Sequence, residues 1–366
     1  MRVLFNAMQA GNQSGTGRYV EELLPALAAL EDAPEFTVVW PEDVPLPAGS
    51  DRLEIRLQPR GLRHRLALER RLYTMAGQFD VVHYPATIGP LWRKPNLVIT
   101  VHDCIFLHHP EWFRRERALY YRWAGAWSIG RAAHLIADST HTARDLEAWL
   151  SPPPPNITTI PLGVSESFRP QGADAVERVR KRYQLPERFF LYVGTLEPRK
   201  NLARIVRAWD QVAATLPEDL VIAGRIGWKT GELEGAIAAA THQDRIHCPG
   251  FIESSDLPAL LSAAHAFVWP SLYEGFGLPV LEAMACGTPV ITANTTSLLE
   301  IADGAALTVD PRDEGALARA LTQISTDGDL HRTLGTAGRK RADEFTWQRC
   351  AQETRAVYAT VANARI

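Results

Sequence analysis

The chain has 366 residues, 46% hydrophobic and 22% charged, with a formal net charge of −3. That length exceeds one ordinary core, so two domains are expected, and the charge balance gives no reason for nucleic acid as the main partner. No run approaches the roughly 18 apolar residues of a membrane span. The four cysteines (Cys104, Cys248, Cys286, Cys350) show neither CxxC nor zinc spacing, which reads as free, mostly buried thiols in a reducing, cytoplasmic setting.

The opening MRVLFNAMQA has one basic residue and breaks at Asn6, as a first strand does and a secretion signal does not. The glycine-rich AGNQSGTGRYVEEL follows, with Gly15, Thr16 and Gly17 leading into a helix expected near Arg18. It is only loosely a dinucleotide fingerprint. Val20 stands where the third glycine belongs, and no acidic residue follows a second strand at the needed distance, so a nicotinamide dehydrogenase is the least favoured reading. FTVVW, DVVHY, LVITV, HLIAD and ITTIP continue the strands of the first half. LVITVHDC brings His102 and Asp103 to a strand's carboxyl end. Residues 151–156, SPPPPN, are too rich in proline for helix or central strand and read as a loop. The segment PLGVSESFRPQGA looks like a hinge.

In the second half the strands are FFLYVG, LVIAG, DRIHC, AFVWP, PVITA and ALTVD, and helical spacing closes the chain from Phe345. Continuous apolar runs separated by helices imply parallel strands buried on both faces, and right-handed crossovers make that a doubly wound α/β architecture, here built twice. The expected division is 1–165, 166–345 and a terminal helix 346–366. Ligands of such sheets sit at the carboxyl ends of the strands, and two facing sheets make a cleft there.

Two strand ends in the second half carry chemistry. After FFLYVG comes TLEPRKNL, where Arg199 and Lys200 precede Asn201, a good N-cap residue. The pair is either a set of solvated charges or two fixed cations for a diphosphate at a helix start. After AFVWPS comes YEGFGLPVLEAM. Gly275 and Gly277 allow a tight turn with unshielded amides at a helix start. Glu274 precedes the turn, and Glu282 lies about one turn inside the helix. Carboxylates accept pairs of hydroxyl hydrogen bonds, and sugars offer vicinal hydroxyls. Read blandly, the glutamates are a helix-start charge and a surface residue, which leaves Gly-Phe-Gly unexplained.

Taken together, EGFGLPVLE, VGTLEPRKN, SGTGRY, TVHD, ADSTHTARDL and FTWQRCAQET occur in an order that resembles glycosyltransferase family 4, retaining enzymes of the two-Rossmann GT-B fold. The resemblance covers nearly the whole chain. It implies that Arg199 and Lys200 hold the donor's diphosphate and stabilise it as it leaves. Glu274 and the amides of Gly275, Phe276, Gly277 and Leu278 would hold sugar hydroxyls and phosphate, and Glu282 the ribose. Gly15 and Gly17, with Thr16 between them, would approach the phosphates. His102 would touch the transferred sugar and assist at the reacting face with Asp103 beside it as a substrate-binding residue, and Gly250, Phe251 and Ile252 would receive the base. The terminal helix would cross back to the first domain. Leu299 stands where members often have proline. The resemblance implies no cofactor and no metal, because Arg and Lys take the metal's place; the one Asp-x-Asp, Asp327 to Asp329, reads as a helix cap. The style of the GTLEPRKN loop implies GDP-mannose first and a UDP-hexose second as donor, and a glycan, lipid-linked or small-molecule acceptor. A sugar-nucleotide epimerase or hydrolase on the same fold, and a non-catalytic nucleotide-sugar sensor, stay open.

Charge along the chain is uneven. Residues 51–132 hold 14 basic and 7 acidic side chains, a local net of +7, against −5 in the first fifty. Within the basic stretch, PRGLRHRLALERRLY and WFRRERALYYRWAGAW mix arginine with Leu, Tyr and Trp at helical spacing. They are either ordinary solvated and core faces or a surface for an anionic membrane.

Overall fold

The structure is a computed structural model, and it describes residues 1–12, 14–41, 44, 55–56, 61–90, 92, 94–113, 115–150 and 156–364. The proline run at 151–155 lies outside the described residues. The chain forms two compact units, Met1–Gly163 with Phe345–Ile366, and Val164–Glu344.

The first unit is built on a parallel sheet of seven strands: β1 (Arg2–Asn6), β2 (Glu35–Trp40), β3 (Ile55–Arg56), β4 (Val81–Tyr84), β5 (Leu97–Val101), β6 (His134–Ala137) and β7 (Ile157–Thr159), in the order β3-β2-β1-β4-β5-β6-β7. The reversal between β1 and β4 is the switch point of a doubly wound sheet. Every residue of β4, β5 and β6 is buried, as continuous apolar runs require when helices cover both faces. The helix Gly15–Ala28 starts three residues earlier than its sequence suggests. Ser14 caps it, its hydroxyl accepting from the Gly17 amide at 3.4 Å, so the glycines sit in the first helical turn. The terminal helix Trp347–Asn363, capped by Thr346, packs on Gly15–Ala28, β4 and β6. A Cβ at Gly163 would lie 2.2 Å from the Trp347 amide nitrogen. Only glycine admits that approach.

The second unit repeats the design with six parallel strands: β8 (Phe189–Val193), β9 (Asp219–Ala223), β10 (Ile246–Gly250), β11 (Ala266–Trp269), β12 (Val290–Ala293) and β13 (Leu307–Val309), in the order β10-β9-β8-β11-β12-β13. The proline-bearing IHCPG strand takes the edge, where a missing amide is tolerated. Its register with β9 slips between His247 and Gly250. Gly224, just past β9, has φ +130° and no room for a Cβ, which would sit 1.9 Å from the Gly194 carbonyl oxygen. The two chain crossings at β8 and β9 are thereby drawn together at the strands' carboxyl ends.

Candidate active site

In the second unit the switch point between β8 and β11 gathers the residues singled out in the sequence. Pro198–Lys200 is one 3-10 turn past β8. Asn201 occupies the N-cap position of helix Leu202–Asp210 but does not cap it. Its backbone is left-handed (φ +64°), and its amide instead donates to the carbonyls of Pro270 (3.0 Å) and Pro311 (2.6 Å). That stitches the loop after β8 to the loops after β11 and β13. The Arg199 carbonyl accepts from the Leu272 amide at 2.8 Å and from the Ser271 hydroxyl at 3.0 Å.

These ties bring two cations onto one carboxylate. Arg199 Nη1 donates to Glu274 Oε2 at 2.5 Å, and Lys200 Nζ to Glu274 Oε1 at 2.5 Å. Trp269 Nε1 donates to Glu274 Oε1 at 3.1 Å, and Lys200 Nζ lies 4.2 Å over the same indole. Tyr192 stacks on Trp269 with ring centroids 5.0 Å apart. Glu197, which the sequence reading passed over, accepts from Arg199 Nε at 2.5 Å. Glu197, Lys200 and Glu274 are buried, while Arg199 keeps 23% of its side chain exposed. Burial pushes the Glu274 carboxyl up, but Arg199 and Lys200 outweigh it and hold the group down at about 2. Burial, helped by Arg199, pushes the Lys200 ammonium down to about 8 against the pull of Glu274. Arg199 and Lys200 are therefore no solvated surface pair.

The turn Gly275-Phe276-Gly277 is buried and leads into helix Leu278–Ala285. Gly277 has φ +118°, and a Cβ there would meet Leu298 at 2.8 Å. The Ser297 hydroxyl contacts the carbonyls of Glu274 (2.9 Å) and Phe276 (2.7 Å), fixing the turn from 23 residues away; nothing in the local spacing announces it. Beside Ser297 the hydroxyls of Thr295 and Thr296 are buried with no hydrogen-bond partner among the described residues. Thr296 has φ +58°, unusual for a β-branched residue and of the kind found where a site is pre-shaped. Glu282 is 5% exposed, so it is not a surface residue. At the end of β10, Gly250 has φ +82°, Ile252 is buried, and Phe251 is 42% exposed with the Arg225 guanidinium 4.8 Å over its ring.

In the first unit His102 and Asp103 follow β5. His102 Nδ1 lies 2.6 Å from Asp138 Oδ2, and Nε2 lies 3.3 Å from the Pro85 carbonyl oxygen. Asp103 accepts from the Ile105 amide at 3.2 Å. Tyr19, one turn beyond the glycines, meets the His102 ring edge to face at 4.9 Å. Gly17 serves packing, since a Cβ would lie 2.3 Å from Asn12 Oδ1; a Cβ at Gly15 would meet nothing within 4 Å among the described residues beyond its own helix and chain neighbours. Asp327 caps helix Gly328–Ala342, accepting from the amides of Asp329 (3.1 Å) and Leu330 (2.9 Å). No helix of the described residues is long and apolar enough to cross a membrane.

These two sets of strand ends can now be set beside known proteins. The family described as Glycosyl transferases group 1 matches residues 175–341, and Glycosyltransferase Family 4 matches residues 13–168. The O-antigen chain mannosyltransferase B of Escherichia coli is 31% identical over 289 residues, 78% of this chain and 76% of the relative. The MMP alpha-(1->4)-mannosyltransferase of Mycolicibacterium hassiacum is 29% identical over 304 residues, 77% of this chain and 71% of the relative. Among solved structures, the sucrose-phosphate synthase of Thermosynechococcus elongatus superposes with a TM-score of 0.80 over all of both chains at 25% identity. With two Rossmann-like units in GT-B order and these matches, the chain belongs to glycosyltransferase family 4.

Proposed function

We propose that the protein is a retaining, metal-independent hexosyltransferase that moves mannose from GDP-mannose to a glycan or lipid-linked acceptor. The observation that carries this is the buried carboxylate of Glu274 between Arg199 and Lys200. Buried ion clusters seldom repay their desolvation, so one at a switch point marks function. An arriving diphosphate competes for the two cations, and Glu274, once released, accepts sugar hydroxyls. As the glycosyl bond breaks, charge grows on the leaving diphosphate, and preset cations stabilise that state more than the ground state. Ser297 and the amides of Gly275 to Leu278 fix the phosphate side, Glu282 takes the ribose, Gly250, Phe251 and Ile252 the base, and His102 and Asp103 serve the transferred sugar. The mannosyltransferases among the relatives favour mannose over other hexoses. Exposed Phe251 with Arg225 offers a stacking face and a fork that suits the O6 and N7 of guanine.

A thermal-shift panel of GDP-, UDP-, ADP- and dTDP-sugars tests the donor, since the tightest ligand stabilises most by mass action. GDP-mannose is expected to lead. The anomeric configuration of the product, read by proton NMR, tests retention. Release of free sugar with no acceptor-linked product would instead favour the hydrolase reading, and binding without turnover the sensor.

The acceptor is proposed to be presented at an anionic membrane. Helix Arg115–Ile129 exposes Leu119, Tyr120, Trp123 and Trp127, and the Arg131 guanidinium lies 3.3 Å over Trp127. These aromatics are not core, and Trp, Tyr and Arg together suit the interface. Residues 59–60 of the other basic stretch lie outside the described residues. Co-sedimentation with anionic vesicles, weakened by salt and by Trp123→Ala plus Arg122→Glu, is the expected result. A protein that stays in the supernatant at low salt points to a soluble acceptor.

A further inference from the structure

We propose that His102 is held as a doubly protonated imidazolium by Asp138, so that it enters the reaction as a fixed positive charge and hydrogen-bond donor, with Asp138 as its positioning residue. The proposal rests on the transferase reading for its role, but not for the charge itself. Three neighbouring strand ends converge here: Pro85 after β4, His102 after β5 and Asp138 after β6. The ring's Nδ1 faces a carboxylate oxygen at 2.6 Å and its Nε2 a peptide carbonyl at 3.3 Å. An ionised carboxylate and a carbonyl only accept hydrogen bonds. Both contacts are satisfied together only when each ring nitrogen carries a proton. A neutral imidazole would turn a lone pair on one of them.

A second buried histidine in the same sheet shows the opposite arrangement. His83, in β4, lies 2.6 Å from the Tyr358 hydroxyl and 2.8 Å from the Thr100 hydroxyl. Hydroxyls donate or accept as needed, so a neutral ring is content between them. Burial and the charge of His102 push His83 down to about 3. For His102, burial also pulls down, but Asp138, by charge and hydrogen bond, outweighs it and the net shift is upward. Of the other groups around the pair, Asp103 adds negative charge. Tyr19 from helix Gly15–Ala28 and Cys350 and Tyr358 from helix Trp347–Asn363 are all pushed up by burial and stay neutral.

Asp138 does little else. It is 2% exposed, and its Oδ1 is buried with no hydrogen-bond partner among the described residues. A carboxylate placed for stability would not leave an oxygen idle. The His102 side chain remains 14% exposed, enough to touch a ligand. As an imidazolium it has no lone pair with which to take a proton, so it is not a general base; it donates to a ligand oxygen only through Nε2–H, turned from the long 3.3 Å contact with the Pro85 carbonyl.

The test is a titration of the full-length protein, labelled with nitrogen-15 at histidine, with the His102 signals assigned by their loss in His102→Gln. Both ring nitrogens are expected at the protonated shift a full pH unit above histidine's ordinary value of about 6.5. In Asp138→Asn the transition should fall by at least about one unit, a tenfold change in protonation. An unprotonated nitrogen on His102 at neutral pH in the wild type overturns the proposal, and that spectrum needs no variant to fold. It is also recorded without donor or acceptor. A neutral ring would therefore defeat the charge assignment while leaving the transferase reading intact, and failure to bind any nucleotide sugar would do the reverse. In turnover, Asp138→Asn should lower kcat by about tenfold to a hundredfold with KM little changed. Its rate should partly recover as the pH falls through the lowered transition, which mere loosening of the fold would not produce.

Discussion

The second unit surrounds one buried carboxylate with two cations, whereas the first holds one imidazole on one carboxylate. Both groups stand just past parallel strands, where backbone amides and helix starts leave room for a ligand. They differ in what they can release. Glu274 has Arg199, Lys200 and Trp269 as partners, and Arg199 has Glu197 as well. In such a cluster Arg199 and Lys200 can turn from Glu274 to an arriving anion while Glu197 still holds Arg199. The first unit's pair joins one ring to one buried carboxylate, so its charge is set once, at folding. An exchangeable centre suits a group that arrives and leaves with every turnover, and a fixed one suits a group that must hold still.

Removing a cation from the exchangeable centre should have the largest effect. Arg199→Ala and Lys200→Ala are each expected to cost on the order of 3 kcal/mol in the barrier, about a hundredfold in kcat, with a smaller loss in affinity for the free nucleoside. The parent nucleoside carries no diphosphate and serves as the control ligand in calorimetry. Turnover near wild type in both variants would remove the diphosphate from this centre and with it the contrast between the units.

The glycines sharpen the comparison. Gly277→Ala places a methyl group against Leu298 in left-handed backbone, and should lower stability by about 1–3 kcal/mol. Gly15→Ala meets nothing within 4 Å among the described residues. It should melt like the parent but raise KM for the donor, because only a ligand is left to notice the methyl. A drop in melting temperature for Gly15→Ala, with unchanged kinetics, would turn that glycine into a folding residue.

Much of this was legible in the sequence, for a physical reason. All twelve strands read from continuous apolar runs are present, because a strand buried on both faces cannot hide its composition. The strand that was missed, β3, pairs only two residues with β2, too few to leave a period. Glu274, Arg199 and Lys200 were visible because each lies in the loop that follows a strand. Their mutual contacts were not, since 74 and 75 residues separate the partners. Asp138 obeys the same strand-end rule as His102 but was read as the last residue of HLIAD. Glu197 carries no sign of its burial in the local sequence, and only the fold encloses it. Ser297 and the left-handed Thr296 carry no local signal at all; only the fold brings them to the turn.

A titration separates the two cations of the exchangeable centre. Lys200 titrates at about 8 in the folded protein, against an ordinary 10.5. Between those values the unfolded chain binds the extra proton, so stability attributable to Lys200 rises with pH, by up to about 1.4 kcal/mol per unit. Diphosphate binding needs the charged form, so affinity for the donor should fall over the same range, about tenfold per unit. Opposite slopes in thermal melting and in calorimetry, both absent from Lys200→Met, are the expected signature. On the acid side the sign is the same, because the Glu274 carboxyl too is depressed in the folded protein. Glu274 lies near 2 instead of 4.5, so its contribution is complete above about 4.5 and disappears toward 2. Parallel slopes for stability and affinity above pH 8 would mean that Lys200 never meets the diphosphate.

The smallest expected effect is none. Activity should be the same in EDTA as in magnesium or manganese. In metal-dependent transfer a divalent ion offsets the charge on the departing diphosphate, and carboxylates hold that ion. Here the one Asp-x-Asp is spent: Asp327 accepts two amides at the start of its helix. Glu274 and Glu197 are already engaged by Arg199 and Lys200. A cation entering this centre would have to displace both side chains from their partners and would meet their like charge. The assay compares initial rates at saturating donor. Rates that vanish on chelation and return with manganese would show that two side-chain cations are not enough for the leaving group. The exchangeable centre would then be a binding site that borrows its electrophile.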